Sequence, residues 1–115
     1  MIEDERRRSP RCTVGLPVIV HAGVEDVRGQ LKSVSRLGAL IESESPFAVG
    51  TSLQMVVELP GDVLEIRGQV VRADTTGDVH SLGIMFSPLA LPTLTKLESL
   101  LAASQPEAMG SGTGA

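Results

Sequence analysis

Between positions 13 and 86, apolar residues return at every second position, in runs closed off by glycine and proline. That period restricts the fold more than any other feature of the chain. Val14, Leu16, Val18 and Val20 share one side of the first run, the mark of a strand with one face buried. Pro17 within it signals an edge or a bulge, since proline gives a ladder no N–H. In 27–34, Val27, Gly29 and Leu31 oppose Arg28, Gln30 and Lys32, and 39–42 makes a short third strand. Leu53, Met55, Val57 and Leu59 alternate in 52–59; Leu64, Ile66 and Val70 point inward in 63–73; Leu82, Ile84 and Phe86 share a face in 81–86. The breaks are turns around Gly23 (22–25), Pro60-Gly61-Asp62 and Gly77 (74–78), and a loop over 43–51 anchored by Phe47. Connections this short join antiparallel strands, because a parallel pair needs a crossover of about a dozen residues. Six twisted strands with one apolar face remove their exposed edges by closing. The expected fold is all-β: a small six-stranded antiparallel barrel with a C-terminal helix.

The period changes after Phe86. Leu91, Leu94, Leu97, Leu100 and Leu101 recur at three and four residues, an amphipathic helix predicted over 92–103, with Pro92 in the first turn where proline is tolerated. The remainder, 104–115, is rich in Gly, Ser, Ala and Thr and is expected to be disordered. At the other end, 1–10 reads as a flexible polar arm in which Glu3, Asp4 and Glu5 precede Arg6, Arg7 and Arg8. The 115 residues suffice for one core and not for two, so 11–103 is the single folded domain.

Composition removes several functions. Cys12 is the only cysteine, so no intrachain disulfide or thiolate metal cluster exists, and the residue reads as a small side chain on a strand edge rather than a nucleophile. His21 and His80 lie in no ligand-spacing motif. No Ser-His-Asp pattern or phosphate-cradling glycine loop occurs, so no enzyme is expected and no cofactor. A net charge of −4 and an aromatic content of 2% argue against a nucleic-acid polymer as partner, which needs a basic face or stacking platforms. No apolar run approaches the ~20 residues of a membrane span, and the first eight residues match neither a signal nor a transit peptide. The expected location is the cytoplasm. Positive charge is nevertheless concentrated: Arg6, Arg7, Arg8 and Arg11 are four of the ten Lys and Arg residues. Such a local patch in an acidic chain suits one small anionic ligand.

A second stretch belongs with that patch. Ser33-Val34-Ser35-Arg36-Leu37-Gly38 is a hydroxyl-rich corner between two strands, ending in the residue that permits close backbone approach. Arginines spaced Arg7-Arg8-Ser9-Pro10-Arg11 ahead of the first strand, followed by this corner after the second, resemble the paired motifs of the PilZ family, bacterial receptors for cyclic di-GMP. The motifs there are Arg-x-x-x-Arg and Asp/Asn-x-Ser-x-x-Gly. Gly68-Gln69-Val70-Val71-Arg72 and Leu82-Gly83-Ile84-Met85-Phe86 are similar to the family's later strands, and the resemblance covers roughly 6–103.

The resemblance implies a PilZ-like barrel and a non-catalytic signalling domain that binds cyclic di-GMP and acts through an unidentified protein partner. It implies ligand-binding roles for Arg7, Arg11, Ser33, Ser35 and Gly38, with Arg6, Arg8, Arg36 and Arg72 as secondary candidates. Arginine's planar fork suits phosphate oxygens and guanine O6/N7. The chain departs from the family at Ser33, where Asp or Asn is expected. Losing a charged acceptor costs on the order of 1 kcal/mol, roughly five- to tenfold in affinity. The same departure keeps a different reading open, an interaction adaptor of this fold that binds no nucleotide.

Overall fold

The structure, a computed structural model, describes residues 12–103 and 105–106. Its elements are β1 (Cys12–Ala22), β2 (Glu25–Val34), β3 (Gly38–Ser43), β4 (Ser52–Leu59), β5 (Asp62–Thr76), β6 (Val79–Phe86), α1 (Leu91–Ala103) and β7 (Gln105–Pro106). Every pairing is antiparallel, and the order β2-β3-β6-β5-β4-β1 closes through β1 against β2. The alternation seen in the sequence is the inside–outside alternation of this barrel. Val18, Val20, Leu31, Ile41, Met55, Val57, Leu64, Ile66, Val70, Leu82 and Ile84 fill the core, and Phe47 packs on it from the β3–β4 loop. Pro17 pairs with Gln30 of β2, whereas the β4 ladder on the other side of β1 begins only at Val18. The proline thus sits where its missing N–H costs no ladder bond.

The helix contributes Leu97, fully buried, with Leu100 and Leu101 packed beside it. Leu91 departs from the expected stripe: it is 72% exposed, because it opens the helix before the turn that meets the barrel. The helix is tied down by Lys96, whose Nζ donates to Asp62 Oδ1 and to the Val63 carbonyl, both at 3.1 Å. No helix among the described residues is long and apolar enough to cross a membrane.

Strand ends differ from expectation in one consistent way. The turn predicted over 74–78 shrinks to Gly77-Asp78, because Asp74, Thr75 and Thr76 pair with Ser81, His80 and Val79. These residues are exposed on both faces, and backbone pairing needs no burial, so composition hides the strand. Cys12 is likewise no edge residue, being paired with Val34 on one side and Pro106 of β7 on the other. Gln105–Pro106 are therefore strand within the stretch expected to be disordered. The arm expected over 1–10, with Arg11 and the rest of 104–115, lies outside the described residues.

Candidate functional site

The corner after β2 is built by its own polar groups. The Ser35 N–H donates to the Gly38 carbonyl at 2.9 Å. Ser35 Oγ accepts from the Leu37 N–H at 3.2 Å and from the Gly38 N–H at 3.3 Å. The Leu37 carbonyl in turn accepts from the Phe86 N–H at 2.9 Å, pinning the corner to β6. Gly38 has no alternative here: a Cβ at this position would collide with the Ile84 carbonyl oxygen. The serine and glycine of the motif thus serve the backbone of their own corner.

Ser33 has a different placement. Leu31 pairs with Ile41 and Val34 with Ala39, core-facing pairs, while Ser33 pairs with Leu40 across a register shift that follows Leu31. Directly opposed residues share a face, so Ser33 belongs with Leu40 on the outer side of the barrel. It is nevertheless only 3% exposed. On its other side it pairs with Thr13, and Val34 with Cys12. Arg11 precedes Cys12 by one peptide in the chain.

Leu40 also lines a shallow cavity of about 290 Å³ on the outer face of β3, β6 and β5, with Ala39, Gly83, Ser81, Arg72 and Asp74. Arg72 Nε lies 3.4 Å from Asp74 Oδ2. Of the candidate residues, Arg72 lines this cavity and Ser33 lies one pairing away, opposite Leu40, while Ser35 and Gly38 form the corner that follows Ser33. Arg36 leaves that group: its guanidinium is 3.0 Å from Glu98 Oε2 on α1. Arg6, Arg7, Arg8 and Arg11 are outside the described residues. Sequence reasoning missed the cavity floor at Leu40 and Ser81, and it missed Glu98. The strand Leu82-Gly83-Ile84 carried a hint of the first; nothing in the helix spacing singles out the second. No group of His, Cys, Asp and Glu side chains suited to a metal ion occurs among the described residues.

Solved structures of the same shape exist. The Bacillus subtilis inhibitor of motility (MotI/DgrA) superposes with a TM-score of 0.70 at 20% identity, over 84% of this chain and 50% of that one, so the chain spans half the length of that protein. The PilZ domain of YcgR from Escherichia coli, solved with c-di-GMP, gives 0.72 at 16% identity, over 86% and 91%. The PilZ domain of CeSA from a cellulose-synthesizing bacterium gives 0.62 at 17%, over 80% and 94%. At such identities the likeness is one of fold. No curated protein matches the chain. The PilZ domain family model, however, matches residues 5–103, from ahead of the arginine motif through all six barrel strands to the end of α1, and the chain belongs to the PilZ domain family.

Proposed function

We propose that the chain is a cytoplasmic receptor domain for cyclic di-GMP that performs no catalysis and passes the ligand's presence to a protein partner. The observation that carries this reading is the span of the family match, 5–103, which takes in both motif positions in order. The YcgR domain of matching shape, solved with c-di-GMP, supports it. The ligand's chemistry agrees with the residues available. Two phosphodiesters call for the guanidiniums of Arg7 and Arg11, which also fit guanine O6/N7. The corner at Ser33, Ser35 and Gly38 receives a guanine edge, with Arg72 across the outer cavity and Arg6, Arg8 and Arg36 in reserve.

A second reading, an adaptor of this fold without nucleotide binding, is favoured by particular residues. Ser33 stands where the family has Asp or Asn, and Arg36 and Arg72 already face carboxylates.

Calorimetric titration with cyclic di-GMP separates the two. A receptor binds, and binding weakens with added salt as phosphate contacts are screened. Arg11→Ala then loses about tenfold or more, the worth of a charge-assisted contact. Ser33→Asp tightens binding roughly five- to tenfold by restoring a charged acceptor. Because position 33 is buried in the free protein, the same change lowers the melting temperature without ligand, a carboxylate being costly to desolvate. Flat titrations for native and Ser33→Asp proteins, both folded, reject the receptor in favour of the adaptor.

A further inference from the structure

The β5–β6 hairpin outlasts the barrel. β4 pairs with β5 only from Asp62 to Gln69. The loop before β4 adds one more step: the Gly50 N–H donates to the Val70 carbonyl at 2.7 Å, and the Val70 N–H to the Thr51 carbonyl at 2.9 Å. Beyond Val70, β5 runs on to Thr76 with β6 on one side and, among the described residues, no strand on the other. Register determines which backbone groups this edge presents. Gly77, at φ +62°, makes a two-residue turn, so Thr76 and Val79 flank it as a hydrogen-bonded pair, and such pairs alternate along an antiparallel ladder. Asp74 with Ser81 and Arg72 with Gly83 are then bonded pairs too. Ala73 and Thr75 turn their N–H and C=O groups outward, and an open edge of this kind is a template for another strand.

We propose that this edge associates with the same edge of a second copy of the chain, antiparallel, about a two-fold axis through Ala73. Symmetry leaves few registers. Outward groups must meet outward groups, so the axis passes through a residue position and never between two. An axis at Arg72 sets guanidinium against guanidinium, and one at Asp74 sets carboxylate against carboxylate. Like charges directly opposed destabilise a strand pair. The axis at Ala73 sets Arg72 opposite the second copy's Asp74, and the reverse, in non-hydrogen-bonded pairs where side chains stand closest. Arg72 and Asp74 already lie together on one face of their own strand, so association completes a square with opposite charges at adjacent corners. At the centre, the two Ala73 residues exchange N–H and C=O bonds. The strip is short, which makes the dimer weak and concentration-dependent.

Sedimentation equilibrium of the ligand-free full chain, from about 10 μM to about 1 mM, tests this. The weight-average mass is expected to climb from 12.1 kDa towards twice that value. Ala73→Pro removes the central donor without touching a bond to β6 and abolishes the climb. Arg72→Asp weakens association at least about tenfold, and adding Asp74→Arg to it restores the native constant to within about threefold. Circular dichroism checks each fold; should Ala73→Pro disturb the hairpin, the charge reversal and its rescue decide. A native chain that stays monomeric throughout overturns the proposal. So does association indifferent to Arg72→Asp, or a double reversal that recovers nothing.

Discussion

Ser35 and Gly38 illustrate how the same residues can satisfy a motif and a fold together. Ser35 Oγ is the acceptor for two N–H groups of its own turn, so Ser35→Ala leaves both short of a partner at a position only 6% exposed. The expected loss is about 1 kcal/mol in urea denaturation, the net worth of a partly buried hydrogen bond. Gly38→Ala is expected to cost more, about 1–3 kcal/mol, because the obstacle is the Ile84 carbonyl, a ladder oxygen that cannot swing aside as a side chain would. An unchanged midpoint for Gly38→Ala would show that β6 yields there. The sequence made the corner legible through its hydroxyls and glycine, which are local signals. The partners were not legible, since Ile84 reaches Gly38 only once β3 has paired with β6.

Elements tell the same story on a larger step. Period-two runs located all six barrel strands because half-burial leaves a trace in composition, and the ladder extensions at Asp74–Thr76 were missed because full exposure leaves none. The helix stripe overreached at Leu91 for the converse reason: apolar character does not guarantee a facing surface. Leu97→Ala is accordingly expected to cost about 2–5 kcal/mol, the range for emptying a filled core site. Leu91→Ala should stay within about 0.5 kcal/mol, as exposed changes do, and equal effects of the two in a melt would contradict the docking described. The clasp of α1 on the β4–β5 hairpin has an acid signature. The Val63 N–H, then Lys96, hold the Asp62 carboxyl below its ordinary value. The native state releases that proton at lower pH than the unfolded state, so the stabilisation is complete above the unfolded value of about 4 and fades as pH falls through the lowered one. Asp62→Asn should therefore flatten that part of the stability curve below pH ~4, as read by urea midpoints at successive pH values. An acid limb identical to the native one would remove Asp62 from the account.

Across the whole molecule, the ion pair of Arg36 and Glu98 links the motif corner to the C-terminal helix. Both partners are substantially exposed, so the pair contributes little to stability, about 0–1 kcal/mol at most. Its interest lies in competition. If cyclic di-GMP binds at the corner, its phosphates and the Glu98 carboxylate bid for the same guanidinium, and whatever the ligand gains from Arg36 the helix loses. Coupling of this kind is reciprocal: weakening the helix contact must strengthen ligand binding by the same factor. Glu98→Gln is thus expected to cost less than about 0.5 kcal/mol in urea denaturation and to tighten cyclic di-GMP by up to about twofold at low salt, an advantage that shrinks as salt rises. Glu58→Gln, which removes the same charge from an exposed position on β4, controls for net charge and should shift affinity far less. Equal shifts from both variants would mean that only overall charge is felt. No shift from Glu98→Gln in a protein that binds the dinucleotide would place Arg36 outside the ligand's reach, leaving the helix tie a purely structural contact.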